Sequence, residues 1–270
     1  MVKEQAYYKD GVHKTIYESH AWRTVENSMQ FTVPLIHPSF KILDVGSGPG
    51  TITIDYGKYV PDGSVIGVEP TSELIEVANS KKVEAGNPQN VSFQLGSIYK
   101  LPFEDNSFDL VVAHQVVVHL EDPVAALKEL RRVTKSNGYV AVKDADLKAG
   151  VIYPESYEKF FDLYIQGKCS GGSFTDPIAG RRLKEKALNA GYLPSNLELS
   201  SSVWTVANAQ EREMWATMFL NRLRYSQESF SPDENKNKEL KKLAIEMWEK
   251  WAKEDSGFLS FMNVELLYKK

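Results

Sequence analysis

The run Leu43-Asp44-Val45-Gly46-Ser47-Gly48-Pro49-Gly50 decides how this chain is read. It follows a short apolar stretch of strand character, Lys41 to Val45, and precedes a helical-looking one, Thr51 to Tyr59. Glycines at 46, 48 and 50 admit positive φ and let a ligand come close to the backbone, so the strand-to-helix turn is of the nucleotide-binding kind. Dinucleotide sites use G-x-G-x-x-G, whose glycines clear space for a pyrophosphate at a helix N-terminus. Here Thr51 occupies the sixth position, and the turn carries an acid, Asp44. A carboxylate at that point suits a cationic amine better than a phosphate.

Working outward, a second acid stands at a telling distance. Glu69 ends the next strand-like run, Ser64 to Glu69, about twenty residues beyond the loop, where a carboxylate accepts hydrogen bonds from both hydroxyls of a ribose. Asp44, Thr51 and Glu69 together select S-adenosylmethionine over a dinucleotide. Further strands read Val91 to Leu95, Phe108 to His114 and Gly138 to Lys143, alternating with helical segments in the manner of a parallel sheet covered on both faces. Asp122-Pro123 starts a helix with an N-cap acceptor and a first-turn proline, and Ala126, Leu127, Leu130 and Val133 recur on one face. Asn137-Gly138 is expected to end that helix by turn chemistry. Asp176-Pro177 repeats the start signal, with Gly191 as the stop.

After Lys143 the alternation breaks down. Glu155 to Gly167, Ala209 to Tyr225 and Lys238 to Lys253 read as helices, and Asn196 to Val206 and Phe258 to Tyr268 as extended, so a helical insertion is expected before the last strand. Ser226 to Asn237, polar around Pro232, is the expected flexible loop. Met1 to Phe31 carries Tyr7, Tyr8, Tyr17, Trp22 and Phe31 without strong periodicity, as a lid or as a helix packed on the sheet.

Composition bounds the rest. With 270 residues, 42% of them hydrophobic, the chain can bury one sizeable core. A net charge of -4 argues against a nucleic-acid partner. The lysines of Asn235 to Glu254 alternate with glutamates, as on a solvated helix. Cys169 is the single cysteine, which excludes an intrachain disulfide and a cysteine-rich zinc site. No metal site is expected. No apolar run reaches the length of a membrane span, and Met1 to Asp10 is polar, so a cytoplasmic protein is expected.

The residues Ile42 to Gly50, Val65-Ile66-Gly67-Val68-Glu69, Leu101-Pro102-Phe103 with Ser107-Phe108-Asp109, and Glu129-Leu130-Arg131-Arg132-Val133 with Asn137-Gly138-Tyr139 resemble the motifs of class I S-adenosylmethionine-dependent methyltransferases. Within that class the chain is similar to the ubiquinone/menaquinone-biosynthesis type and to fungal small-molecule enzymes, including thiol methyltransferases. The resemblance covers about Arg23 to Asp144. It implies an α/β, doubly wound, seven-stranded Rossmann-like sheet in a single domain: core about 32–147, N-terminal lid 1–31, substrate cap with the helical insertion about 148–256.

The resemblance also implies roles. Asp44, Gly46, Ser47 and Gly48 would hold the methionine part of the cofactor, Glu69 with Pro70 the ribose, Thr71 and Leu74 the rim beyond, and Gly96, Ser97 and Ile98 the adenine. The family usually has Asp where Ser97 stands, so an accepting carboxylate is missing there. Arg23 would reach the cofactor carboxylate. His114 and Gln115 would face the transferable methyl, with His119 one turn on. The family's amine methyltransferases of nucleic acids and protein glutamine show Asn/Asp-Pro-Pro-Tyr/Phe where this chain has Ala113-His114-Gln115-Val116, which points to a small-molecule acceptor instead.

Methyl transfer is an in-line displacement, and holding nucleophile and methyl about 3 Å apart supplies much of its acceleration. A thiol or acidic carbon arrives largely ionised, whereas an alcohol needs a base. His114 and His119 are the catalytic candidates; the bland alternative is that His114 only hydrogen-bonds cofactor or backbone. Asp144 and Asp146 open toward the same sheet edge or merely cap the next segment. Phe160, Phe161, Tyr164, Phe174, Trp204, Trp215, Phe219 and Tyr225 are a stock from which an apolar acceptor pocket can be lined. Trp215, Met218, Phe219 and Arg222 share a helix face that reads more readily as core than as a substrate wall. Two other readings stand beside the enzyme: a cofactor-binding scaffold without turnover, and a nicotinamide oxidoreductase, which Thr51 disfavours.

Overall fold

Strand β1 (Lys41–Val45) is apolar at Ile42, Leu43 and Val45, and all three are buried, because both faces of the sheet are covered. The computed structural model describes residues 14–18, 20–169, 174–225 and 229–270. After the short helices α1 (Lys14–Glu18) and α2 (Val25–Ser28), β1 leads through the glycine turn into α3 (Thr51–Tyr56), then β2 (Ser64–Glu69), α4 (Ser72–Glu84), β3 (Val91–Leu95) and β4 (Phe108–His114). There follow α5 (Pro123–Val133), β5 (Thr134–Tyr153), α6 (Glu158–Lys168), α7 (Ala179–Asn189), β6 (Leu197–Val206), α8 (Ala209–Tyr225), α9 (Glu234–Trp251) and β7 (Phe258–Lys269). The seven strands form one sheet in the order β3-β2-β1-β4-β5-β7-β6. The first five are parallel, and β7 lies antiparallel between β5 and β6.

The chain runs outward from β1 in both directions, so the crevice between the ends of β1 and β4 is the switch point at which open α/β sheets bind ligands. Two of the sequence motifs meet beside it. The Glu129 carboxylate accepts from the Leu101 N–H at 2.8 Å and from Arg132, which also holds Asp105 and the Phe103 carbonyl. That pair clamps the Leu101-Pro102-Phe103 turn to α5.

Three boundaries differ from expectation. Helix α5 starts as read, with Asp122 accepting from Ala125 N–H at 2.9 Å, but it stops at Val133. Thr134, whose hydroxyl closes onto the Leu130 carbonyl at 2.7 Å, already pairs with Phe108, and Asn137 (φ 66°) is a bend within β5. Strand β5 then runs on to Tyr153 through Asp144 and Asp146, both fully buried. They are strand residues rather than an open edge, and Asp146 does cap: its carboxylate accepts from the Arg181 N–H in the first turn of α7 at 3.3 Å. Finally, the expected loop Ser226 to Asn237 has 226–228 outside the described residues, and the remainder is ordered by packing: Phe230 is buried and Asp233 caps α9 through Lys236 N–H at 2.8 Å.

Helices α6, α8 and α9 enclose a second apolar cluster with the far ends of β5 and β7, built on Phe219, Trp215, Trp248, Trp251 and Phe261. This cluster is the helical cap over the carboxyl edge of the sheet. Of the expected lid, residues 1–13 (with Tyr7 and Tyr8) and 19 lie outside the described residues; Trp22 packs against the cap. Among the described residues no helix is long and apolar enough to cross a membrane.

Candidate functional site

The glycine turn is bent by three left-handed residues, Gly46 (φ 73°), Gly48 (φ 53°) and Gly50 (φ 80°). A Cβ on Gly46 would meet Val116 at 2.5 Å, and one on Gly50 would meet Phe93 at 2.5 Å, so both sides of the turn are packed. A Cβ on Gly48 would meet nothing within 4 Å, and there the backbone is open to the cavity. Gly46 and Ser47 donate to the Val68 carbonyl at 2.7 and 3.0 Å, which ties the turn to the end of β2. Glu69 follows there, accepting from Gly48 N–H at 3.1 Å and Thr71 N–H at 3.2 Å. Burial pushes the Glu69 carboxyl up and those N–H groups pull it back. Asp44 is 2% exposed; burial raises it to about 6, against the Thr53 hydroxyl that donates to it at 2.6 Å, with Glu69 pushing it further up.

His114 ends β4 and is 6% exposed. Burial, with Arg23 and Lys143 nearby, depresses it well below the usual histidine range, so its imidazole is neutral. Its Nε2 is buried without a hydrogen-bond partner, as are the Ser47 hydroxyl and the Trp22 indole N–H, and all three residues line one cavity. Buried polar atoms normally find partners, so three orphans around one space mark where a polar ligand sits. Gln115 turns the chain at φ 57°; its backbone N–H donates to the Lys143 carbonyl at 2.7 Å and its amide is engaged by Asn263 at 2.8 Å. That amide braces the bend. His119 shares a hydrogen bond at Nδ1 with the Thr175 hydroxyl at 2.9 Å.

The cavity therefore gathers Arg23, Asp44, Gly46, Ser47, Gly48, Glu69, Pro70, Gly96, Ile98, His114, Gln115 and His119. Thr71, Leu74 and Ser97 do not line it. Thr71 contributes its N–H to Glu69, Leu74 is buried at 1% exposure, and the Ser97 hydroxyl accepts from Tyr99 N–H at 3.1 Å. Asp146 is bound to Arg181 in a two-point ion pair, and Asp144 sits outside the cavity with its carboxyl raised to about 8 by burial.

Next to His114 the lining becomes aromatic. Trp22, Trp204 and Trp215 form a triangle with ring centroids 5.3 to 5.9 Å apart, and Trp204 lies 5.8 Å from the His114 ring. Phe261, Tyr164 and the α8 face Trp215, Met218, Phe219 and Arg222 complete the wall. That face is core on one side and cavity on the other. Phe160 and Phe161 are buried in the cap, whereas Phe174 and Tyr225 are exposed. His20, Leu147 and Phe261 went unremarked in the sequence, because nothing local distinguishes them from ordinary turn or strand residues.

Residues 36–188 match the methyltransferase domain family, more than half of the chain. The chain belongs to the methyltransferase family. An uncharacterized methyltransferase of Schizosaccharomyces pombe is 44% identical over 99% of this chain and 98% of its own length. The demethylmenaquinone methyltransferase of Staphylococcus aureus is 34% identical over 46% of this chain and 51% of its own. Among solved structures, the YcgJ protein of Bacillus subtilis shares the fold at a TM-score of 0.56, with 18% identity over 91% of this chain and 99% of that one. This methyltransferase uses S-adenosylmethionine as its cofactor. The residues present fit it: buried acids beside left-handed glycines, an open backbone at Gly48 and an orphaned Ser47 hydroxyl suit a cationic amino acid joined to a ribose, and no phosphate-binding group is needed.

Proposed function

We propose that this methyltransferase alkylates a small, apolar or aromatic acceptor on sulfur, carbon or oxygen, held in the chamber between His114 and the three indoles. The observation that carries this reading is the continuity of one cavity from the Gly46 to Gly48 turn and Glu69, past His114, to Trp204, Trp215 and Phe261. A macromolecular amine would need an open face; a chamber walled by the cap suits a compact molecule.

In this reading Glu69 accepts from the ribose hydroxyls, while Asp44 and the turn of Gly46, Ser47 and Gly48 hold the amino acid part. Gly96 and Ile98 flank the adenine, and Arg23 approaches the cofactor carboxylate. Bound S-adenosylmethionine supplies a methyl carbon activated by sulfonium, and its displacement leaves S-adenosylhomocysteine. The protein's contribution is to hold the acceptor in line and to keep water out. His114, buried and neutral, turns a partnerless Nε2 to the cavity, and in the tautomer protonated at Nδ1 that atom accepts from the attacking group. His119 is more remote in role, since Thr175 orients its ring. The chain acts as one domain with its cap.

A labelled-methyl assay over thiols, quinols and phenols tests the reading, preceded by calorimetry with S-adenosylhomocysteine and with NAD. Binding of the adenosyl ligand with turnover of one acceptor class is the expected result. Binding with no turnover anywhere in the panel would favour a scaffold, and binding of NAD alone would overturn the assignment of the turn.

A further inference from the structure

Two polar atoms at the aromatic end of the cavity have no hydrogen-bond partner among the described residues, Trp22 Nε1 and His114 Nε2, and both residues line the cavity. Trp22 is held from its main chain outward. Its carbonyl accepts from Asn27 Nδ2 at 2.9 Å, Thr24 and Asn27 cap each other reciprocally, and the Val25 N–H donates to Asp55 at 2.8 Å. The Trp22 ring stands edge-on to Trp204, centroids 5.3 Å apart, and tilted against Trp215 at 5.8 Å, so it cannot swing to another partner. Trp204 commits its own indole N–H to the Asn27 carbonyl at 3.1 Å; the Trp22 N–H, equally buried, donates to nothing. The His114 ring lies 5.8 Å from the same Trp204, so the two partnerless atoms belong to rings flanking one indole. The nearby charges of Arg222 and Lys143 are already engaged, by Tyr164 and His20 and by Glu265.

We infer that Trp22 selects the acceptor through its indole N–H: besides the hydroxyl or thiol presented to His114 Nε2, the substrate carries a second oxygen, of carbonyl type, that accepts from Trp22 Nε1. This rests on the methyl-acceptor reading of the chamber and adds a requirement to it. An indole N–H only donates, so a second group that is itself donor-only, such as an ammonium, does not serve there, whereas a carbonyl offers two lone pairs. Leaving a buried donor unpaired costs more than a typical hydrogen bond gains, so a molecule without the second oxygen is actively rejected. A flat skeleton of one or two rings lying against Trp204 carries its two polar ends to the two residues that flank that indole. The partnerless Ser47 hydroxyl belongs to the glycine turn and so to the cofactor end, whereas Trp22 packs with the cap cluster.

The test uses the full chain saturated with S-adenosylhomocysteine, titrated calorimetrically with 4-hydroxyacetophenone and 6-acetyl-2-naphthol and with their isopropenyl counterparts, in which a methylene carbon replaces the ketone oxygen. At least one ketone is expected to bind about fivefold or more tightly than its counterpart, the scale of one neutral hydrogen bond. The ketone also makes the phenol more acidic, so the deciding variant is Trp22→Phe, which keeps a ring and removes the N–H. It is expected to erase most of the preference while S-adenosylhomocysteine binds as before. Should the variant fail to fold, the isotope-labelled wild-type chain gives a second readout: one indole N–H resonance is expected to move downfield with the ketone and to stay in place with its counterpart. Equal affinity within both pairs, binding of none of the four at millimolar concentration, a preference that survives Trp22→Phe, or no indole resonance that tells ketone from counterpart would overturn the inference. So would an equal loss of S-adenosylhomocysteine affinity in Trp22→Phe, which assigns the N–H to the cofactor. Failure of the wild-type chain to bind S-adenosylhomocysteine would remove the methyl-acceptor reading itself, and this inference with it; normal binding of that ligand with no preference for the ketone would remove the inference alone.

Discussion

His114 and Lys143 face each other across the β4 and β5 pair, the first kept neutral by burial and the second paired with Glu265. Lys143 reaches Glu265 at 3.1 Å with both side chains nearly inaccessible, and Ser200 and Ser202 donate to the same carboxylate at 2.7 and 2.6 Å. Burial raises Glu265, but those hydroxyls and Lys143 draw it below its ordinary range. Lys143→Met leaves a buried carboxylate without its cation and is expected to destabilise the fold by about 3–5 kcal/mol. Lys143→Met with Glu265→Leu is expected to recover most of this, as read from urea unfolding.

His114 is expected to stay neutral across the working range, because its ionisation is depressed by burial, Arg23 and Lys143. With S-adenosylmethionine saturating, kcat should show no inflection near the ordinary histidine value of about 6.5. His114→Ala should lower kcat while leaving the affinity for S-adenosylhomocysteine within about twofold, a loss of transition-state interaction alone. An equal loss in both would assign His114 to cofactor binding.

In the proposed site Asp44 would link cofactor binding to pH. Its carboxyl is raised to about 6, so it gains a proton as pH falls through that value. The protonated form cannot attract an amine, and S-adenosylhomocysteine affinity should weaken below about pH 6. Asp44→Asn should bind weakly with no such dependence between about pH 5 and 8, measured by calorimetry. Glu69→Ala should weaken binding by about 1.5–3 kcal/mol at every pH in that window.

Asp144 acts on stability instead. Its folded value of about 8 stands far above the unfolded 3.8, so the folded chain holds more protons between those limits. Stability from this group is full below the unfolded value and declines as pH rises to about 8. Asp144→Asn should flatten that decline and be the more stable protein at about pH 8, checked by denaturant midpoints against pH.

Gly50→Ala should destabilise by about 2–4 kcal/mol, from the left-handed backbone together with the clash on Phe93 and Ala78. Gly48→Ala meets no neighbour, so its fold should suffer less while S-adenosylhomocysteine binding falls. Paired thermal melts and titrations separate the two.

The inner strands β1 and β4 were legible because burial on both faces writes them as apolar runs, and the glycine turn because its conformation demands that residue. Strand β5 was half hidden. Lys143, Asp144 and Asp146 look like the end of a strand until Glu265 on β7 and Arg181 on α7 arrive to neutralise two of them. The glycine-turn end of the cavity comes from neighbouring loops of one repeated strand-helix pattern, which spacing makes visible. The aromatic end joins Trp22, Trp204 and Phe261 from three separate segments, and such a meeting is written only in tertiary packing. Ser97 shows the opposite case, a motif position whose hydroxyl is taken up by its own turn.

The five tryptophans fall into two optical populations. Trp22, Trp204 and Trp215 border the chamber, whereas Trp248 and Trp251 are sealed in the cap. A molecule in the chamber would touch the first set and not the second, so the chain's own indole emission reads occupancy with no dye attached.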